Sequence, residues 1–358
     1  MTRLERFQSA LRTAGAEAAI ISSEINQRYL SGFLFSDGYL LITPNEAILL
    51  TDSRYIEAAR REAVEFSVVL ARGGMLEALR GLIADLRIQQ VVVEEAALPC
   101  STLKKFQENF IDVEIAFGAS DILSSLRAIK TEDEIQKIAA AQSLTDEAFL
   151  HILDFLSPDR TEKEVALELE FFMRKRGAEA VAFDTIAVSG SSSSLPHGVP
   201  SDVPLREGFL TMDFGARVDG YCSDMTRTVV IGRSDEKMRR VYDTVLRAQT
   251  TALGYIRGGV SLFDADKAAR DVIREAGFGE NFGHSLGHGV GMYIHEAPSL
   301  SPKADRTALL MAGNVVTVEP GIYIEGKYGC RIEDMIAIRP DGSVHNFTKS
   351  SKELIEIA

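Results

Sequence analysis

Two stretches in the second half of the chain constrain its fold more than any other feature, because each sets acids into the middle of an apolar hairpin. The first, FLTMDFGARVDGYCSDMTRTVV, turns near Val218-Asp219-Gly220 and carries Asp213 and Asp224 on its two arms. Asp-Gly between two β-rich runs is a hairpin signal. The two residue numbers sum to an odd value, so any two-residue turn puts both carboxylates on one sheet face, opposite or one step diagonal. The second stretch, NVVTVEPGIYIEGKYGCRIEDMIAIR, sets Glu319 and Glu333 symmetrically about Gly326, across the ladder from each other if the turn is centred there. Like charges facing each other on paired strands repel, and acids flanked by Val, Met, Ile and Phe sit in poorly solvated surroundings. One such acid alone reads as a solvated strand residue. Two hairpins repeating the pattern require a compensating cation, and a pair of metal ions would supply it.

Histidine placement points the same way. Of six histidines, His284, His288 and His295 fall close together in GHSLGHGVGMYIHEAP. His284 and His288 have the spacing of a helical HExxH site, but serine follows the first, and Gly283, Gly287, Gly289 and Gly291 disfavour a helix, so a loop or extended strand is expected. His151 and His345 read as structural residues. His197, in SLPHG after a serine-rich loop, reads as either a surface residue or a loop-borne catalytic group.

The chain has 358 residues, which at ~100–200 per domain suggests two domains. Helical patterns alternate with the β-rich runs AAIIS (18–22), YLLIT (39–43), AILLT (47–51), FSVVL (66–70) and VVVEE (91–95), and TPNE at 43–46 turns one strand into an antiparallel neighbour. No GxGxxG follows any of these strands, which argues against a dinucleotide site. Long helices begin near residue 120. Thr131 with Glu134, and Thr161 with Glu164, are capping boxes opening helices that run to about Leu156 and Arg176. The expected division is 1–123 and 124–358, in the α/β (α+β) class.

Cys100, Cys222 and Cys330 are odd in number and lack a CxxC pair, which excludes a disulfide framework or thiolate zinc site and predicts reduced, buried thiols. Alternation puts Cys222 on the face of Asp224 and Cys330 opposite Glu333. A net charge of −13 without any basic block speaks against nucleic acid and anionic membranes as partners. No apolar run reaches the ~18 residues of a membrane span, and the N-terminal stretch is an amphipathic helix with Leu4, Phe7 and Leu11 on one face rather than a signal peptide, so a cytoplasmic location is expected.

The ordered set Asp213, Asp224, His288, Glu319 and Glu333 resembles the two-metal site of the pita-bread metallopeptidases, with the match strongest to the aminopeptidase P and prolidase branch. MDFGA, YCSDMTRT, GHxxGHGVGxxxHE, VEPGIY and RIED carry the likeness. NQRYLSGF at 26–33 and TDSRY at 51–55 resemble the creatinase-like N-terminal domain of that group, so the likeness spans essentially the whole chain. It implies two divalent ions, Mn²⁺ foremost with Co²⁺, Zn²⁺ or Fe²⁺ as alternatives, bound by those five residues, Asp224 and Glu333 bridging, with a shared hydroxide as nucleophile. It further implies substrate-contacting His284 and His295, His197 in the pocket for the residue after the cut, and Glu319 as acid/base partner. Arg331 would hold either a substrate carboxylate or the ligands themselves, with Tyr323 in the same shell. The expected activity is removal of the residue before proline from peptides, as in an Xaa-Pro aminopeptidase, or from dipeptides alone, as in a prolidase, with the former favoured. A homodimer is expected. The reading from another class is a catalytically dead peptide-binding module on the same fold.

Overall fold

The computed structural model describes residues 1–358, and its internal contacts separate two units, Met1–Arg127 and Ala128–Ala358. The sequence-based division at 123/124 falls inside the helix Ala119–Ala128.

In the first unit a six-stranded sheet forms from the β-rich runs. Ala18–Ile21, Gly38–Ile42 and Ala47–Thr51 pair antiparallel, the last two through the TPNE turn, while Ser67–Leu70, Gln90–Val93 and Glu114–Phe117 join by parallel pairing. Glu114–Phe117 is a half-exposed edge strand that apolar patterning does not reveal. The helix Glu24–Ser31 was also not visible as periodicity; Ser23 caps it and Gly32 ends it in the left-handed region at φ 72°. Glu94 sits fully buried beneath this helix, and its carboxylate accepts from the backbone N–H and hydroxyl of Ser23 at 2.9 and 2.6 Å and from Asn26 Nδ2 at 2.6 Å. Arg127 donates in turn to Asn26 Oδ1. Glu94→Ala would strand these donors, each costing ~1–3 kcal/mol when buried and unpaired. A drop of about 3 kcal/mol in urea unfolding is expected, and an unchanged midpoint would show that water replaces the carboxylate.

The second unit places helix pairs behind strands. Glu132–Phe155 and Glu162–Lys175 both start with the expected capping boxes, Thr131–Glu134 and Thr161–Glu164. The strand Gly208–Phe214 pairs antiparallel with Met225–Ile231 along its whole length. Alternation then divides the faces: Leu210, Met212, Phe214, Met225, Val229 and Ile231 pack in one core with this helix pair, whereas Thr211, Asp213, Thr226 and Thr228 point the other way. The second helix pair, Glu236–Tyr255 and Leu262–Glu275, packs on Val316, Val318, Ile322, Ile336 and Ile338. These residues belong to the strands Val315–Val318, Gly321–Ile324 and Asp334–Ile338 of the second acidic stretch. Burial of one face of each strand thus turns the polar face inward, onto one cleft.

All three cysteines are free thiols, and Cys222 and Cys330 are buried as expected. Cys100 is not: it opens the helix Cys100–Asn109 on the solvent side. No helix is long and apolar enough to cross a membrane.

Candidate metal centre and its cleft

Asp219 and Gly220 take φ values of 49° and 84°, the left-handed pair that a two-residue hairpin turn requires. The register set there holds across both ladders, Arg217 opposite Cys222 and Asp213 opposite Thr226. Asp224 therefore stands one diagonal step from Asp213 on the same face. The ladder breaks between them at Gly215, where a Cβ would lie 1.9 Å from the Ser223 carbonyl oxygen, so only glycine lets the two arms approach.

Glu319 and Glu333 occupy a similar interruption, between the pairs Val318–Asp334 and Gly321–Arg331. Pro320 has no N–H to continue the ladder. The freed donors turn outward: Glu319 N–H bonds Leu286 O at 2.8 Å and Glu333 N–H bonds Thr226 O at 3.1 Å. The second of these joins the two hairpins. Thr226 Oγ1 also donates to Glu333 Oε2 at 2.7 Å, and Thr228 Oγ1 donates to Arg331 O at 2.9 Å.

His288 lies in the short strand Gly287–Gly289, as the glycine spacing predicted. Its backbone N–H donates to Thr317 Oγ1 at 3.0 Å, and that hydroxyl donates to Glu319 Oε1 at 3.1 Å. Ring Nδ1 is 3.1 Å from Gly289 O, which can only accept, so Nδ1 carries the proton. Nε2 then turns towards Glu319 Oε1 at 3.3 Å and Asp224 Oδ2 at 3.5 Å. Asp224, His288 and Glu333 each offer one ligand atom within 4.8 Å of the others. A lone pair facing two carboxylates is repulsive unless a proton or cation lies between them.

Charge states follow from this crowding. Burial raises the carboxyl pKa of Asp224, and Glu333, Asp213 and Glu319 raise it further. Burial raises Glu333 likewise, with Glu319 and Asp213 adding. Asp213 is also raised by burial, although Arg331 opposes. Burial would raise Glu319 as well, yet the hydrogen bond and charge of His288, with His284 and Arg331, hold it down at about 2. His288 is pushed down by burial and pulled up by Glu319, which wins. Asp213 Oδ1 and Glu333 Oε1 are buried with no hydrogen-bond partner. Orphaned carboxylate oxygens beside an available imidazole nitrogen fit hard divalent cations with an imidazole ligand.

Arg331 is 3 % exposed and commits its guanidinium within the protein. It donates to Asp213 Oδ2 at 2.6 Å, Thr226 Oγ1 at 2.9 Å and Tyr323 Oη at 2.6 Å. This geometry places it with the ligands rather than with a substrate carboxylate. Tyr323 stands in the same shell as Arg331, its hydroxyl bridging Arg331 to His284 Nε2 at 3.0 Å. His284 lines the cleft with its ring held in place, Nδ1 2.8 Å from Ser285 O and Nε2 3.0 Å from Tyr323 Oη. The reason is tertiary: Arg270, paired with Asp266, clamps the backbone around it through Phe282 O and His284 O.

His295 and His197 are exposed, and the His295 ring stands edge-on to His288 with centroids 4.3 Å apart. Both line the same cleft of about 610 Å³ as the five acid and histidine candidates, His284 and Arg331, with Phe183, Ile186, Val199 and Ile294 on its apolar walls. His151 instead pairs with Glu168 and His345 with Arg339, outside the cleft. The residues that sequence reasoning missed are Thr226, Thr228 and Thr317. Thr226 and Thr228 share parity with Asp224, so alternation was the available signal.

Fold and cleft together define a class: an α/β chain that gathers four acids and an imidazole where divalent cations would satisfy them. Residues 136–340 match the model of metallopeptidase family M24, and residues 3–129 match the creatinase/prolidase N-terminal domain. An Xaa-Pro dipeptidase of Pyrococcus furiosus is 36 % identical, covering 99 % of each chain. Among solved structures, an Xaa-Pro dipeptidase from Bacillus anthracis superposes with TM-score 0.95 at 42 % identity, covering 99 % of both chains. An X-Pro aminopeptidase from Thermotoga maritima superposes with TM-score 0.90 at 38 % identity, covering 98 % of this chain and all of that one. The chain belongs to metallopeptidase family M24, and the family implies divalent metal ions.

Proposed function

We propose that this chain is an Xaa-Pro dipeptidase, a metallo-exopeptidase that hydrolyses the bond before a C-terminal proline. Asp213, Asp224, His288, Glu319 and Glu333 would hold two divalent ions, with Mn²⁺ first among Mn²⁺, Co²⁺, Zn²⁺ and Fe²⁺. The observation that carries the reading is the buried, partnerless carboxylate oxygens of Asp213 and Glu333 in the cleft that also exposes His295. Bound ions would polarise the scissile carbonyl and acidify water. The rest falls to the protein. Arg331 orients Asp213 and opposes its protonation. Glu319 is the acceptor for the proton released in attack. His295, whose pKa is lowered by burial and by His288, is neutral at pH 7 and donates an N–H to the developing oxyanion. His197, at the mouth, contacts the proline side and passes a proton to the leaving nitrogen. The proline nitrogen has no N–H, so recognition rests on shape and on the apolar walls rather than on an amide donor.

Sequence reasoning favoured the aminopeptidase; the names of the Pyrococcus and Bacillus relatives favour the dipeptidase. The Thermotoga relative supports activity on longer peptides as the second reading. The deciding assay is mass spectrometry of products from Mn²⁺-loaded protein given equimolar Ala-Pro, Ala-Pro-Ala, Arg-Pro-Pro and Ala-Ala-Ala. Cleavage confined to Ala-Pro is expected. Release of the first residue from the proline tripeptides would make it an aminopeptidase, and no cleavage with any of the four metals would favour the peptide-binding module. We also propose a homodimer, which a single monomeric species in sedimentation at micromolar concentration would refute.

A further inference from the structure

His295 is the exposed imidazole nearest His288, yet no hydrogen bond from its own ring fixes its direction. Its orientation must come from the backbone on either side. The next residue, Glu296, turns its carboxylate away from the cleft and meets Lys130 Nζ at 2.7 Å, with side chains only 3 % and 1 % exposed. Lys130 is itself fixed, its N–H bonded to Gly313 O at 2.9 Å, and Asn314 Nδ2 donates to Ala128 O two residues earlier. On the near side, a Cβ at Gly291 would lie 2.1 Å from Glu296 Oε1, so the carboxylate is seated directly against that backbone. Cys222 N–H then ties Gly291 O at 2.8 Å to the arm that carries Asp224.

We propose that the buried Lys130–Glu296 ion pair is the positioning element for His295, setting the imidazole against His288 and into the cleft. Neither residue touches the metal candidates. The pair anchors a six-residue segment, Gly291 to Glu296, that has no regular secondary structure before Glu296 to hold it. A lysine at residue 130 is thereby linked to a catalytic group far along the chain, which explains why so polar a side chain is buried there.

The catalytic consequence rests on the proposed role of His295. The test uses Lys130→Met and the double variant Lys130→Met/Glu296→Gln, each in the full chain. Lys130→Met removes the cation beside the buried Glu296 carboxylate and should lower the thermal midpoint, whereas the double variant also removes the carboxylate's charge and should regain most of it. If the pair positions His295, kcat on Ala-Pro with Mn²⁺ falls about tenfold to a hundredfold in both variants, with KM and bound Mn²⁺ within about twofold of the parent. In metal-free protein labelled at histidine, the His295 imidazole signal, assigned by its loss in His295→Gln, shifts or broadens in both variants while that of His284 stays. Recovery of kcat and of the His295 signal together with the midpoint in the double variant would overturn the proposal and leave the pair a stability element. If the parent fails to cleave Ala-Pro, the functional reading falls, and the imidazole spectra still decide the positioning.

Discussion

Asp224→Asn is expected to lower turnover of Ala-Pro by more than about 10³-fold and to reduce bound Mn²⁺ in proportion, at least ~4 kcal/mol of lost transition-state stabilisation. The substitution keeps the side-chain shape and removes one anionic donor from the group Asp224, His288 and Glu333, whose ligand atoms lie within 4.8 Å of one another. Its backbone setting is undisturbed, because the hairpin register is fixed by the Asp219-Gly220 turn and by the pairs Arg217–Cys222 and Asp213–Thr226. Unfolding cannot account for the loss. Removing one of several mutually repelling acids should make the metal-free variant more stable at neutral pH than the metal-free parent. Metal analysis, thermal melting and steady-state kinetics on one preparation separate the effects. Retained ions with retained turnover would place the metal elsewhere, and unchanged peptide binding without any metal in the parent would favour the binding module.

Stripping the metal with a chelator should make stability fall as pH rises above about 6.5, and adding Mn²⁺ should restore it most at the higher pH. Asp213, Asp224 and Glu333 all have raised pKa values in the fold. The folded cluster holds protons that the unfolded chain has released, so stability declines as pH rises above the ordinary carboxylate range. His288 acts in the same direction: its pKa is raised, so its contribution is complete below 6.5 and is lost as pH climbs. Glu319, lowered to about 2, contributes stability that is lost only as pH falls from 4.5 towards 2, well below this window. His284 and His295 are lowered, so their effect is complete by about pH 6.5. Cation binding stabilises by RT ln(1 + [L]/Kd), ~2.7 kcal/mol at a hundredfold excess over Kd. A thermal midpoint of the chelated protein that stays flat or rises over this interval would mean that the acids remain charged without ions and that the cluster is better solvated than its burial implies.

Much of the site was legible because it is built from local patterns. Hairpin parity placed Asp213 and Asp224 on one face, the symmetry about Gly326 placed Glu319 against Glu333, and the glycines around His288 excluded a helix; all three follow from backbone geometry within about thirty residues. The capping boxes at Thr131 and Thr161 marked helix starts for the same reason. What patterning missed was short, exposed or committed elsewhere. Glu114–Phe117 is an edge strand without a buried face, and Glu24–Ser31 is too brief to show its period. His284 and Tyr323 resembled substrate contacts in sequence, and the fold also turns them onto each other and onto Arg331.

The sequence by itself therefore determined the fold class and which side chains share a face, because periods of 2.0 and 3.6 residues are properties of the backbone. Only the tertiary structure decided that the two hairpins meet, through Glu333 N–H on Thr226 O, and that Arg331 serves Asp213. It also set the His284 ring against Tyr323. The first two outcomes depend on hydrogen bonds between residues more than a hundred positions apart, and no local period encodes which distant donor reaches an acceptor first.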